Sequence, residues 1–295
     1  MSLTLNSKPT FREMLDGSAV SAIARIEHAL MQQSGPIADA MRYAVAGGKG
    51  LRAFLVMETA RLHNVPNDIA VNAAAAIECI HAYSLIHDDM PCMDDDDLRR
   101  GQPTVHRKWD EAMAVLAGDA LQALAFENVT FAGMHAEAQL EMTRSLAVAS
   151  GIAGMVGGQA LDMAAETADA PLTLAEITTL QAGKTGALIT WAAVAGPRMI
   201  GADTATLQIY GDALGLAFQI ADDILDVEGD AATVGKAVGK DSDAGKATFV
   251  SLLGLDAAKS RAKTLVQEAC DALDIYGEDA DVLRDAARYA ITRDK

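Results

Sequence analysis

The sequence predicts an all-α protein, a single-domain helical bundle that spans residues 1–295. Apolar stretches long enough for helices lie between glycine and proline breaks, and none alternates with the period of two that a half-buried strand requires. Alanine is frequent and aromatic residues make up only 4% of the chain, which suits closely packed helices better than a sheet. No low-complexity linker or short repeat divides the chain, so one domain is expected.

The predicted helices follow one another between these breaks. Residues 18–45 predict an opening pair of helices, and the glycine-rich segment Gly47–Arg52 (GGKGLR) comes next. A long apolar helix is predicted over residues 67–90, and Pro91 ends it because proline has no N–H to donate. Thr173–Glu176 has capping-box spacing and predicts the start of another helix. The last 40 residues predict amphipathic helices that serve only packing.

The stretch at the end of the long helix is crowded with carboxylates. Asp88, Asp89 and Asp94–Asp97 place six acidic side chains within ten residues. Their repulsion disfavours an ordered helix end unless a cation lies between them. Mg²⁺ fits best, because it is usually held by one or two carboxylates, waters and phosphate oxygens. Arg99 and Arg100 add planar donors suited to phosphate, whereas a solvated acidic loop is the plainer alternative.

A second acidic cluster lies on another apolar stretch. Asp222 follows Asp88 by 134 residues (222 minus 88), and Asp222 and Asp226 share one helix face because they are four residues apart. Asp223 lies beside that face. Two such clusters on otherwise apolar helices are hard to explain as solvated surface. Facing each other across a cavity, they would hold several metal ions around a diphosphate.

Composition narrows the class of partner. The net charge of −17 argues against nucleic acid, because a nucleic-acid-binding surface needs a basic face. The three cysteines provide no disulfide framework and fit a reducing cytoplasm, and Cys92 is interpreted as a small apolar filler because thiolate is too soft for Mg²⁺. No apolar run reaches about 18 residues, so no transmembrane segment is expected. No signal peptide is expected either.

Several motifs together resemble the trans-isoprenyl diphosphate synthases. DDMPCMD (Asp88–Asp94) and DDILD (Asp222–Asp226) resemble the two aspartate-rich motifs of that family, and the proline-containing first motif is similar to that of the bacterial farnesyl diphosphate synthases. The other matching segments are GGKGLR, LRRGQPTVH (Leu98–His106), GDALQALAFE (Gly118–Glu127), GGQALD (Gly157–Asp162), GKTGAL (Gly183–Leu188) and GKAVGKDSDAGKATF (Gly235–Phe249). The resemblance implies the isoprenoid synthase fold, a helical bundle around a central cavity.

The resemblance also implies an activity. A Mg²⁺-dependent prenyltransferase of this family joins isopentenyl diphosphate head-to-tail to dimethylallyl or geranyl diphosphate, through ionisation to an allylic carbocation, and yields farnesyl diphosphate. Three Mg²⁺ ions are expected, with Mn²⁺ as a substitute, and a homodimer is expected by resemblance alone. The proton lost at the end is expected to pass to the released diphosphate, because no side chain is an obvious general base.

The family pattern assigns roles to residues of this sequence. The metal ligands would be Asp88, Asp94 and Asp222, supported by Asp89, Asp223 and Asp226. The allylic diphosphate and the developing positive charge would be met by Arg99, Lys184, Thr185 and Gln219, with Lys236 and Lys246 on a glycine- and lysine-rich lid. Isopentenyl diphosphate would be held by Lys49, Arg52, His81 and Arg100. Gln159 and Asp162 would support the residues that bind the substrates, or would simply lie on a helix surface.

The sequence departs from the family pattern at two positions, and one residue is expected to limit the length of the product. The family more often has arginine where Gly50 stands and proline where Ala53 stands, which affects the site for isopentenyl diphosphate. Tyr83 lies five residues before Asp88, about 7 Å lower at the helical rise, and with Ser84 it is expected to form a floor that stops tail growth at fifteen carbons.

Three other functions are compatible with parts of this pattern. A geranyl or geranylgeranyl diphosphate synthase would differ in the depth of the tail pocket. A terpene cyclase would need no site for a second substrate, and GGKGLR speaks against it. A non-catalytic helical subunit would be expected to carry damaged motifs, whereas both acidic motifs are intact.

Overall fold

The computed structural model describes residues 9–130, 133–168, 170–228 and 247–293. Its helices are α1 (Phe11–Ala29), α2 (Pro36–Val45), α3 (Leu51–Leu62), α4 (Asn67–Asp88), α5 (Val105–Lys108), α6 (Glu111–Val129), α7 (Ala136–Ser150), α8 (Met155–Glu166), α9 (Leu174–Gln181), α10 (Ala187–Ala193), α11 (Ala195–Met199), α12 (Ala205–Glu228), α13 (Phe249–Leu253), α14 (Leu255–Ala272) and α15 (Asp281–Thr292). A π-helical turn occupies Ala182–Gly186 and a 3₁₀ segment occupies Asp274–Ala280.

The all-α prediction is confirmed. The only strands in the described part of the chain are β1 (Leu98–Arg99) and β2 (Gln102–Pro103), which pair as a short antiparallel ribbon. The opening helix pair begins earlier than the sequence suggested, at Phe11. The capping box at Thr173–Glu176 is present, with both reciprocal hydrogen bonds formed. The long apolar helix has the predicted start and ends two residues early, at Asp88.

Helix α4 lies at the centre of the bundle. It packs against α1, α2, α3 and α6, while α12 packs against α10, α14 and α15. The run Ala73–Ala76 on α4 is almost completely buried, because small side chains let neighbouring helices approach closely. The two helices that carry the acidic motifs therefore both belong to the core.

The sequence analysis expected no apolar stretch of membrane-spanning length. When only length and composition are considered, this expectation is wrong. Two stretches reach that threshold, Asn67–Asp88 and Ala136–Glu166, and 67% of the apolar window in the first is buried inside the protein. A core helix of a bundle passes the same test, so this criterion is weak evidence for a membrane span. Helix α4 packs against protein on several sides and is apolar for that reason.

Glycines set the closest helix contacts near the site. A Cβ at Gly158 on α8 would lie 2.0 Å from the backbone nitrogen of Lys184 in the π-turn. A Cβ at Gly215 on α12 would lie 3.0 Å from Cα of Gly186, at the end of the same turn. Because these positions carry no side chain, α8 and α12 both reach the π-turn at backbone distance.

Candidate active site

The first acidic motif folds back on the end of α4. Pro91 cannot extend the helix, and the loop returns so that the Asp94 N–H donates to the Asp88 carbonyl oxygen at 2.8 Å. Asp95 adopts a left-handed conformation, with φ of 49°, in this return. The Asp96 N–H donates to the Asp89 carbonyl oxygen at 3.2 Å. Asp94 is thereby brought beside Asp88, as two ligands of one metal ion require.

Electrostatics make Asp88 a candidate cation ligand. The pKa of Asp88 is raised to about 6, first of all by burial; Lys184 and Arg99 oppose the rise, and Asp94 contributes to it. A carboxylate that is partly buried beside another carboxylate gains most from a nearby cation. The oxygen donors match a hard divalent ion.

Asp89 has a different role from Asp88. It is buried, and the Arg99 Nε–H donates to its carboxylate at 2.7 Å, with a second bond from Nη2. Arg99 also lies 3.8 Å from Asp96. The sequence assigned Arg99 to the allylic diphosphate, and the structure shows it stabilising the acidic loop next to that site.

The second acidic motif lies near the end of α12, and its members differ in environment. Asp223 is buried and accepts hydrogen bonds from the Phe249 N–H at 2.7 Å and from the Gln219 amide at 3.1 Å. Asp222 is more exposed and accepts one from Arg293 Nη2 at 2.8 Å. Asp226 follows one turn later and is partly exposed. Asp223 therefore orders the helix, while Asp222 and Asp226 face more open space.

Arg293 was missed by the sequence reasoning, which gave the C-terminal helices no role beyond packing. Its side chain is buried, stacks 3.5 Å from the centre of the Phe218 ring, and also donates to the Phe218 carbonyl oxygen. The chain end therefore contributes to the charge of the second motif. No local sequence signal marks this contact, because Asp222 and Arg293 are 71 residues apart.

The π-turn connects the two motifs. Lys184 Nζ donates to Asp162 at 2.6 Å, and Lys184 is also the largest charge partner of Asp88. The Thr185 hydroxyl donates to the Gln219 amide oxygen at 3.2 Å, which ties the turn to α12. Asp162 therefore supports Lys184, and it is not merely a helix-surface residue. A π-turn at this point is consistent with the tendency of such turns to occur at functional sites.

The amide of Gln159 has a distinct environment. Both its side-chain nitrogen and its oxygen are buried without a hydrogen-bond partner among the described residues. It lies on α8 three residues before Asp162. A buried, unpaired amide is costly, so its groups are available to a polar ligand.

A cationic cluster lies around His81, two helical turns before Asp88 on α4. Burial holds the pKa of His81 well below its ordinary value, and the charges of Arg52, Arg100 and Arg99 lower it further. A Cβ at Gly48 would lie 3.4 Å from the Arg100 guanidinium, so this arginine lies over the glycine-rich segment. Burial lowers the pKa of both Arg52 and Arg100. The cluster has the charge and the donors for a second diphosphate.

The remaining predicted residues lie at the edges of this region. Lys49 is exposed beside the cluster, whereas Lys236 and Lys246 lie outside the described residues. Tyr83 is buried on α4, with its ring 5.8 Å from the His87 ring, and the Ser84 hydroxyl donates to the His81 carbonyl oxygen at 3.0 Å. Gly50 has φ of 67°, and a Cβ there would lie 2.5 Å from Cβ of Ala19, so a side chain at this position would clash with α1.

No three His, Cys, Asp or Glu side chains within the described ranges stand close enough together to form a preassembled metal centre. This agrees with the way in which Mg²⁺ is bound, through one or two carboxylates, waters and phosphate oxygens of a substrate. The donors present fit that ion. Asp88 and Asp94 supply crowded oxygen ligands on one side, and Asp222 supplies another.

A family profile and the sequences of known proteins agree on the family of this chain. A profile described as polyprenyl synthetase matches residues 35–285. The chain belongs to the polyprenyl synthetase family. It is 46% identical over 288 residues to a protein of Escherichia coli named farnesyl diphosphate synthase, covering 94% of this chain and 96% of the relative.

Solved structures match over nearly the whole chain. A farnesyl/geranylfarnesyl diphosphate synthase from Zymomonas mobilis, in its apo form, superposes with a TM-score of 0.86 at 46% identity, covering 95% of this chain and 98% of that one. A geranyltransferase from Helicobacter pylori, complexed with magnesium and isoprenyl diphosphate, superposes with a TM-score of 0.78 at 33% identity and 98% coverage of both chains. The isoprenoid synthase fold implied by the motifs is thus confirmed.

Proposed function

We propose that this polyprenyl synthetase is a Mg²⁺-dependent prenyltransferase that condenses isopentenyl diphosphate with dimethylallyl and geranyl diphosphate to form farnesyl diphosphate. The observation that carries the proposal is the presence of two adjoining regions of opposite charge in one core. One combines the acidic motifs with Lys184, and the other combines Arg52, His81 and Arg100. A reaction that joins two diphosphate esters needs two such regions. A terpene cyclase has no use for the second.

The acidic region would bind and ionise the allylic diphosphate. Asp88, Asp94 and Asp222 would hold Mg²⁺, which supplies Lewis-acid stabilisation of the departing diphosphate when bound. Lys184 is kept in place by Asp162 and adds a fixed positive charge at the same point. The Thr185 hydroxyl oxygen and the Gln219 amide form a fixed pair of dipoles beside it. Such preorganised groups stabilise charge without the cost of reorganising solvent.

The cationic region would hold the second substrate. Arg52 and Arg100 offer guanidinium donors to a diphosphate, and His81 stays neutral because its pKa is strongly lowered, so it donates one hydrogen bond without adding charge. Isopentenyl diphosphate held here would present its double bond to the allylic cation. The proton lost afterwards would pass to the released diphosphate.

Several finer features belong to the same proposal. We assign three Mg²⁺ ions, with Mn²⁺ as a substitute, by resemblance to the family. A homodimer is proposed on the same basis, and a cytoplasmic location is proposed from the cysteine content. Lys236 and Lys246, which lie outside the described residues, are assigned to the allylic diphosphate by the resemblance alone.

The direct test is incubation of the purified chain with labelled isopentenyl diphosphate and each allylic primer. With Mg²⁺ present we expect released diphosphate and a fifteen-carbon product, and with excess chelator we expect no product. Restored turnover after added Mg²⁺ is the control for damage by the chelator. Release of diphosphate without isopentenyl diphosphate would favour a cyclase, and no release under any condition would favour a non-catalytic subunit.

Product length is expected to depend on Tyr83. Replacing it by alanine removes a buried aromatic ring below Asp88, so Tyr83→Ala is expected to shift the product towards twenty carbons or more. The measurement is chromatographic sizing of dephosphorylated products from both proteins. Tyr83→Phe keeps the ring and should keep the fifteen-carbon product. An unchanged product from Tyr83→Ala would remove this residue from the floor of the pocket.

A further inference from the structure

One acidic residue lies inside the cationic region. Glu78 is on α4, three residues before His81, and burial raises its pKa while Ala53, Arg52 and Arg100 lower it. A carboxylate next to a site for an anionic diphosphate is unfavourable by charge alone. Its presence therefore calls for a different explanation from direct substrate binding.

The carboxylate has a specific hydrogen-bond partner. The Ala53 backbone N–H, in the first turn of α3, donates to Glu78 Oε1 at 3.0 Å. First-turn N–H groups have no partner within their own helix, and the N-cap residue Gly50 has no side chain that could accept from them. Glu78 thus caps α3 from a neighbouring helix, where the positive end of the helix dipole also favours a carboxylate.

This cap acts next to Arg52, which immediately precedes Ala53. Arg52 Nε is buried and has no hydrogen-bond partner in the described part of the chain. Its side chain starts from the turn that Glu78 caps, and Glu78 is also the first of the charges that raise the pKa of Arg52. Proline at position 53, as the family more often has, would offer no N–H to Glu78. The contact is thus made possible by one of the two departures in GGKGLR.

We propose that Glu78 is a positioning residue for the second substrate, which fixes the first turn of α3 and thereby aims Arg52 at the diphosphate of isopentenyl diphosphate. The inference rests on the proposed function, because it assigns isopentenyl diphosphate to the cationic region. The hydrogen bond to Ala53 acts beside the charge attraction between Glu78 and Arg52, so the two contributions have to be separated by substitution.

Two conservative variants separate the acceptor from the charge. Glu78→Gln keeps an oxygen at the same reach but removes the charge, whereas Glu78→Asp keeps the charge but is one methylene too short. We expect Glu78→Asp to raise KM for isopentenyl diphosphate about tenfold, and Glu78→Gln to stay within about threefold of the wild type. KM for geranyl diphosphate and kcat are expected to stay within about twofold in both.

A double-substitution cycle tests whether the effect passes through Arg52. In an Arg52→Met background, Glu78→Asp is expected to change KM for isopentenyl diphosphate by less than about twofold, because no guanidinium remains to be positioned. Equal effects of the Gln and Asp variants, a matching change in KM for geranyl diphosphate, or full additivity with Arg52→Met would overturn the inference. Absence of turnover in the wild type would instead refute the proposed function.

Discussion

Alanine at Asp88 or at Asp222 is expected to lower kcat of the condensation at least about 1,000-fold, equivalent to roughly 4 kcal/mol of lost transition-state stabilisation. Each substitution removes an oxygen donor for Mg²⁺ from one side of the allylic diphosphate. The departing diphosphate then leaves with less compensation of its charge, so the carbon–oxygen bond ionises more slowly. Release of diphosphate at saturating substrates and Mg²⁺ measures the effect.

The two variants are expected to differ in stability, which separates lost chemistry from lost folding. The raised pKa of Asp88 shows that its charged form is disfavoured in the folded chain, so Asp88→Ala should melt no lower than the wild type at neutral pH. Asp222→Ala leaves Arg293 without its carboxylate and should lose about 1–2 kcal/mol. Asp16→Ala on the exposed face of α1 is the matched control, with unchanged kcat. Full turnover by either site variant would contradict the assignment.

Local signals account for what the sequence predicted well. The end of α4 and the crowding of Asp88 and Asp94 follow from Pro91 and from repulsion between near neighbours. The shared face of Asp222 and Asp226 follows from helical spacing. Each of these rests on residues within about one or two turns of each other, so no tertiary information was needed.

Contacts between distant segments account for what the sequence did not reveal. Arg99 is bound to Asp89 although its neighbour Arg100 reaches the glycine-rich segment, and the identical residue types give no means of telling them apart. The contact of Arg293 with Asp222 depends on how the chain end packs. In the sequence, Glu78 is one polar residue on an apolar helix. Its contact with Ala53 becomes visible only when the position of α3 beside α4 is known.

A single added methyl group at Gly158 is expected to lower kcat strongly. The Cβ of Gly158→Ala would lie 2.0 Å from the Lys184 nitrogen and 2.6 Å from its Cα, so the π-turn must move away from α8. Lys184 and Thr185 would shift with it, and a displacement near 1 Å at reacting groups costs on the order of 100-fold in kcat. Overpacking of this kind should also lower the free energy of unfolding by about 1–3 kcal/mol.

The same substitution at Gly17 is the control, because a Cβ there meets nothing within 4 Å. Gly17→Ala lies within an exposed part of α1 and should gain roughly 0.5–1 kcal/mol through helix propensity, with unchanged kinetics. Steady-state kinetics measure kcat of both variants, and chemical unfolding measures their free energies of unfolding. Wild-type kcat in Gly158→Ala would mean that the backbone contact between α8 and the π-turn does not hold Lys184 in place. A loss of kcat in a variant that remains folded would mean that the glycine at position 158 is required for the position of the catalytic lysine.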